Sequence, residues 1–352
     1  MISAAIFDIV QCPDCGGTLA ADGPDTARCG GCGRVFDATR GFLDLHPAQA
    51  LGDQTRYLDA ALHVDARHES VAPPLLGSRI RHNMLRRFLA LSPADRAVDL
   101  GCGSGRTLVW NAGSGARLTG IDIAPYFAAE ALGQCDLVLG DLRRLPLRDG
   151  AFDKAWSLDV LEHLPRPALL DMLAEANRVL APGGALFVYT HVRKNGWIAG
   201  GLRAVNRLAA WVERRGLLDL RQERLRKSDH VNPLADHDDL GRVAARCGFR
   251  IERRTYYTPI VGAFIENVLV RVAERLLQRR AGRRLGAESA DPAAVRAARA
   301  SAKARVRRGG LLYLALRAAS SLMALDVLLF GRLQSGPFFA LLRKTGPAER
   351  ES

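Results

Sequence analysis

Four cysteines near the N-terminus are the residues most plainly able to do chemistry. Cys12 and Cys15 form one C-x2-C pair, Cys29 and Cys32 a second, with thirteen residues between the pairs. Each pair turns tightly enough for both sulfurs to reach one ion, and glycines flank both turns. Two such pairs at ribbon spacing predict a tetrahedral zinc site with four thiolate ligands. All four positions are filled by protein, so the metal is expected to be structural and to supply folding energy to a segment too short to bury much core. A redox role is the rival reading, but it would need only one pair, and neither pair precedes a recognisable helix.

A second constellation lies at residues 97–105, AVDLGCGSG, where an apolar strand runs into a glycine-rich turn at Gly101, Gly103 and Gly105. Helix-like sequence follows from Arg106, and a second strand from Arg117 to Ile121 ends in Asp122. This order is that of nucleotide binding: glycine lets backbone touch the ligand, and a carboxylate at the end of the second strand accepts both ribose hydroxyls. The spacing is GxGxG, which differs from the dinucleotide fingerprint. Asp99, two residues before the first glycine, would repel a pyrophosphate and attract an ammonium group, such as that of S-adenosylmethionine.

From these residues onward the sequence resembles the class I S-adenosylmethionine-dependent methyltransferases, with a type 11-like domain. Gly140–Pro146 (GDLRRLP) matches the family's third-strand segment, Phe152–Ser157 (FDKAWS) its fourth strand, Val160–Leu164 (VLEHL) the turn after it, and Arg178–Gly184 with Ala185–Thr190 the turn into the fifth strand. The resemblance implies that Asp99, Gly101, Gly103 and Gly105 hold the methionine end of the cofactor. It places Asp122 at the ribose, Asp141 and Leu142 at the adenine, and the backbone of Ser157 or Leu158 along the pocket wall. The N-terminal segment resembles the zinc ribbon of ribosomal RNA guanine-N1 methyltransferases. Buried small filler is the reading for Cys102, and ordinary buried thiols for Cys135 and Cys247.

Methyl transfer is an in-line displacement, so the protein must align an acceptor and, where that acceptor is protonated, take a proton. Candidates beyond the strand ends are Asp159 and His163, after the fourth strand, His191, directly after the fifth, and His230, in the insertion that follows. Each has a plain structural alternative; Glu162-His163 in particular can simply shape the cofactor pocket. His230 resembles a histidine found before the penultimate helix in many small-molecule and lipid methyltransferases. The stretch 192–227, with Trp197, Trp211 and Leu202, Val205, Leu208, Ala209 and Val212 at helical spacing, suits an acceptor lid.

These readings require an α/β fold: a Rossmann-like seven-stranded sheet with helices on both faces, a small N-terminal zinc ribbon, and a helical insertion before the last strand. The divisions are a ribbon at 1–47, a linking helical segment at 48–92, the methyltransferase domain at 93–257 and 336–345, a basic helical insertion at 258–335, and a disordered tail at 346–352. In the insertion, 260–280 reads as an amphipathic helix. Leu311–Phe330 has the length of a membrane span, but Arg317 and Asp326 fall on opposite sides, which predicts a largely buried helix.

The chain has 352 residues, 48% hydrophobic and 25% charged, which excludes a disordered, fibrous or disulfide-scaffold protein. Its net charge of +13 is uneven: Arg279–Arg308 holds ten cations and two anions. A solvated face, peripheral attraction to an anionic membrane, and RNA phosphate contact compete as explanations. No secretory signal is recognisable, so a cytoplasmic protein is expected, peripheral at the inner face of the cell membrane if the basic insertion binds lipid. The reading is methyl transfer to a small-molecule or lipid-linked acceptor. RNA methylation is the first alternative, and a non-catalytic methyltransferase-like binding protein the second.

Overall fold

The computed structural model describes residues 3–49, 58, 71–192, 199–215, 230–231, 233–257, 260–270 and 310–348. Three short strands, β1 (Leu19–Ala21), β2 (Thr26–Cys29) and β3 (Val35–Asp37), form an antiparallel sheet carrying the cysteine knuckles at its turns. A second sheet holds β4 (Leu43–Asp44), β5 (Arg96–Leu100), β6 (Arg117–Asp122), β7 (Asp136–Leu139), β8 (Phe152–Leu158), β9 (Leu180–His191), β10 (Phe249–Tyr256) and β11 (Pro337–Lys344). Its order is β10-β11-β9-β8-β5-β6-β7-β4. The strands from β9 across to β4 run parallel, and β11 lies antiparallel to both β9 and β10.

Strands covered on both faces read as continuous apolar runs, because neither side meets water. Ala97–Leu100 in β5 and Gly184–Thr190 in β9 are buried without interruption. Helix α1 (Gly77–Leu89) packs against β9 and β11. Helices α2 (Arg106–Asn111) and α3 (Ala129–Leu132) follow β5 and β6. In α4 (Arg166–Val179), Leu169, Met172, Leu173 and Ala176 make the buried stripe expected of an amphipathic helix on a sheet. Strand order reverses between β5 and β8, and in such sheets the ligand crevice opens there, beyond the carboxyl ends of the strands.

The sheet has eight strands where seven are expected. The eighth, β4, comes from the N-terminal segment and pairs with β7 through Leu43 to Val138 and Asp44 to Leu139. Upstream, Val10 bridges Leu147, and Gln11 N donates to Pro146 O at 3.0 Å. Ile6, Ile9 and Val10 share one apolar cluster with Val98, Ile121 and Leu147, so the small sheet is seated on the large one.

The segment α5 (Ala199–Arg214) buries Ala209 and Val212 but leaves Leu208 and Trp211 exposed, so the lid pattern does not describe one buried face. Trp197 lies outside the described residues. Helix α6 (His237–Arg246) is capped by Asp236, whose Oδ1 accepts from Asp238 N and Asp239 N at 2.9 and 2.8 Å. Helix α7 (Ile260–Phe264) runs into a π-helical stretch, Ile265–Val270. The rest of the basic stretch, to residue 309, lies outside the described residues. The tail expected to be disordered from 346 is held at its start, where Gly346 O accepts from Asn177 Nδ2 at 3.0 Å.

Helix α8 (Leu311–Phe330) corrects the expectation of a buried helix. Only Ser320, Met323 and Asp326 are fully buried, while Leu311, Leu328 and Leu329 are 88, 73 and 67% exposed. Its inward polar groups serve neighbouring backbone. Asp326 Oδ2 accepts from Val261 N at 2.9 Å at the start of α7, and Ser320 Oγ accepts from Leu76 N at 2.7 Å ahead of α1. Ser320, Met323 and Asp326 therefore face inward, while Arg317, Ser321 and most of the leucines face outward.

Candidate functional site

The three glycines of the loop after β5 do different work. Gly101 has φ +83°, and a Cβ there would stand 2.5 Å from Val160 Cγ2. Gly105 has φ +76°, and its Cβ would meet Ala131 Cβ at 2.6 Å. Both are packing glycines. Gly103, at φ +55°, has open space within 4 Å, so this is the position where a ligand can approach the backbone.

Asp99 and Asp122 flank that loop, and a third carboxylate, Asp141, follows the neighbouring strand β7. Asp99 is buried at 2% exposure, and burial pushes its carboxyl up to about 8, with the charge of Asp122 adding and the Trp156 indole and Arg106 opposing. A ligand ammonium is the partner such a group lacks. Asp122 Oδ2 accepts from Gly103 N at 2.7 Å and Oδ1 from Ala124 N at 2.9 Å, which ties the end of β6 to the glycine loop. Asp141, two residues after β7, is buried and gripped by Arg143, with Nη2 to Oδ2 at 2.6 Å and Nε to Oδ1 at 2.9 Å. Leu142 packs at the edge of the main apolar cluster. Ser157 is fully buried, and its hydroxyl donates to Leu100 O at 2.8 Å, bracing β8 against β5 at the mouth of the crevice. Burial holds up the thiols of Cys102, Cys135 and Cys247; Cys102 and Cys247 are buried as expected, whereas Cys135 is only partly buried.

The three candidate histidines, separate in sequence, meet beside this loop. His191 ends β9, and its Nε2 lies 2.8 Å from Nδ1 of His230. The rings of His163 and His230 meet edge to face with centroids 4.7 Å apart. Glu162, which the sequence reading treated only as a neighbour of His163, is the buried centre of the group. Its Oε2 accepts from Thr190 Oγ1 at 2.8 Å, and its Oε1 lies 3.4 Å from His191 Nδ1. Burial and the nearby Asp159 push the Glu162 carboxyl up to about 8. Asp159 itself sits at φ +57°, uncommon for a residue with a side chain, and pairs with Arg81 of α1 at 3.7 Å. The Arg81 guanidinium also stands 5.3 Å over the ring of Tyr189. Nothing in the sequence near Arg81 signals this, because the contact joins residues about eighty and a hundred positions apart. The E-H pair at 162–163 was a usable signal, and the buried acid in it was the part missed.

The four N-terminal cysteines also converge. The sulfurs of Cys12, Cys15, Cys29 and Cys32 all lie within 4.8 Å of one another, with Cys12 to Cys32 at 3.7 Å and Cys15 to Cys29 at 3.4 Å. A tetrahedral ion with bonds of about 2.3 Å to sulfur sets its ligands about 3.8 Å apart, so this cage fits such an ion. The Cys32 and Gly31 amides donate to Cys29 Sγ at 3.5 and 3.3 Å and lower its thiol to about 6. Burial instead pushes Cys12 up to about 12. The small sheet is also wired to the crevice through His46, whose ring spans from Asp44 Oδ1 at 2.7 Å to Ile123 O at 3.0 Å, one residue past Asp122.

Comparison with known proteins agrees with this geometry. The family described as "Methyltransferase domain" matches residues 98–188. An uncharacterised 37.1 kDa protein in transposon TN4556 of Streptomyces fradiae is 34% identical over 44% of this chain and 40% of its own length. Sterol 4-C-methyltransferase strm-1 of Caenorhabditis elegans is 33% identical over 32% of this chain and 36% of its own. Phosphoethanolamine N-methyltransferase 2 of Haemonchus contortus, solved with S-adenosyl-L-methionine, superposes with a TM-score of 0.49 at 16% identity, covering 84% of this chain and 59% of that one. The chain spans about two-fifths of the length of the two curated relatives. The matched segment contains the glycine loop, Asp99, Asp122, Asp141 and Glu162, and residues 98–188 thus carry a methyltransferase domain.

Proposed function

We propose that the protein transfers a methyl group from S-adenosylmethionine to a small-molecule or lipid-linked acceptor. The observation that carries this is the opening at Gly103 beside Asp99 and Asp122 at the sheet's switch point. Bound there, S-adenosylmethionine supplies a methyl group on a positively charged sulfur. Asp99 would hold the α-ammonium, Asp122 the ribose hydroxyls, and Asp141 with Leu142 the adenine edge. Ser157 keeps β8 and β5 in register beneath them. The cluster of His163, His191, His230 and Glu162 stands at the acceptor end, where a proton leaving the acceptor can be taken up.

A structural zinc in the four-thiolate cage belongs to the same reading, supported by the sulfur spacing. A lipid-linked acceptor is favoured by the outward leucines of α8, together with the ten cations that precede it in sequence. Sterol and squalene methyltransferases are among the proteins to which part of this chain is similar. On this reading the protein works in the cytoplasm, peripherally at an anionic membrane face. The test is incubation with methyl-labelled S-adenosylmethionine and, separately, a polar lipid extract, an aqueous metabolite extract and ribosomal RNA. Label in either extract supports the proposal, and label in RNA alone moves the RNA reading ahead of it. Calorimetry without detectable S-adenosylmethionine binding would overturn it in favour of a non-catalytic role.

A further inference from the structure

Glu162, His163 and His230 form a second group of potential ligands, far in sequence from the four thiolates. One ligand atom of each lies within 4.8 Å of the others. An octahedral ion with bonds of about 2.1 Å spaces its ligand atoms between about 3.0 and about 4.2 Å, so a small closure of the cluster would seat one. Two features make this more than a chance grouping. Glu162 is 1% exposed, and its Oε1, which His191 Nδ1 approaches only at 3.4 Å, accepts no hydrogen bond among the described residues, although Oε2 takes the Thr190 hydroxyl. A buried carboxylate oxygen without a donor is costly, and a cation beside it removes the cost. His191 places its Nε2 2.8 Å from Nδ1 of His230, which fixes the orientation of that ring.

We propose that Glu162, His163 and His230 bind one divalent first-row metal ion at the acceptor end of the crevice. Two imidazoles and a carboxylate suit Mn2+, Fe2+ or Zn2+ better than Ca2+, and three protein ligands leave positions open. Resting on the methyltransferase reading, the class of acceptor is one that offers an oxygen to the ion, such as a hydroxyl or enol. His191 is then a positioning residue, held between the carboxylate and the second imidazole.

The experiment uses full-length protein with the four-cysteine cage saturated with zinc, and Mn2+ as the probe, followed by the electron paramagnetic resonance signal of free Mn2+. One Mn2+ per chain is expected to bind beyond the zinc. His163→Gln and His230→Gln should each weaken that binding at least tenfold while keeping the wild-type melting curve. A Co2+ titration of the wild type supplies a second readout that needs no variant: a nitrogen and oxygen site gives weak ligand-field bands without the sulfur charge-transfer bands of the thiolate cage. Absence of Mn2+ uptake, or uptake unchanged in both variants, overturns the proposal. Measured S-adenosylmethionine binding in the same samples separates that failure from failure of the methyltransferase reading.

Discussion

Replacing Gly103 by alanine tests the cofactor assignment at the atom where it is most exposed to error. At φ +55° an alanine pays about 1 kcal/mol for the left-handed backbone, and its methyl would point into open space. Gly101→Ala is the matched control. It carries the same backbone cost at φ +83° and adds a Cβ only 2.5 Å from Val160 Cγ2, for which overpacking contributes about 2 kcal/mol more. With about 3 °C of melting temperature per kcal/mol, Gly103→Ala should melt about 3 °C below wild type and Gly101→Ala about 9 °C below. Calorimetry should show the reverse ranking in its cause: Gly103→Ala loses at least tenfold in S-adenosylmethionine affinity with its fold intact. Adding Val160→Ala to Gly101→Ala should return part of the lost stability, since the colliding methyl is removed. Wild-type affinity in a folded Gly103→Ala protein would refute the claim that the cofactor occupies that space.

Purified protein should contain about one zinc per chain by elemental analysis, and Cys12→Ser with Cys15→Ser should remove it; a metal-free but fully folded wild type would contradict the cage reading. Because burial raises the Asp99 carboxyl to about 8, well above its unfolded value of about 4, the folded chain holds a proton that the unfolded chain releases. That contribution is complete below about pH 4 and fades as pH rises towards about 8, so melting temperature without cofactor should fall over this window. Asp99→Asn should flatten the slope and weaken S-adenosylmethionine binding; parallel slopes in the two proteins would count against it. Leu325→Glu with Leu329→Glu, both on the exposed side of α8, should abolish flotation with anionic vesicles, which for the wild type should exceed flotation with neutral vesicles and weaken in high salt.

Much of this is legible in the amino-acid sequence. The parallel strands announce themselves as apolar runs because both faces are covered, and the cysteine spacing follows from the geometry of one ion. The three histidines could be named individually, yet their meeting depends on the turn at Asp159 and on where the chain returns at residue 230. Arg81 and Glu162 were overlooked for the same reason, since their roles exist only through contacts between distant segments. Helix α8 was misread because hydropathy alone cannot say which way leucines point. Asp326 looked like a charge to be hidden by packing, whereas it serves the backbone amides that open α7. The pairing of β4 with β7 left no mark at all, being two residues long and decided by docking of the N-terminal segment.

That pairing has a consequence for solubility. Strand β7 would otherwise be the outer edge of the large sheet, and an uncovered parallel edge of Leu137, Val138 and Leu139 is a template for another chain. Leu43 to Leu45 occupy it, with Leu45 N donating to Leu139 O at 2.9 Å, and they are carried there by the segment that the thiolate cage folds. An ion held by the four cysteines, more than a hundred residues upstream in sequence, would thereby guard the flank of the sheet against self-association. Light scattering on chelated protein should rise before secondary structure is lost, so aggregation in metal-poor expression would be a failure of edge protection and leave the cofactor crevice's own residues unblamed.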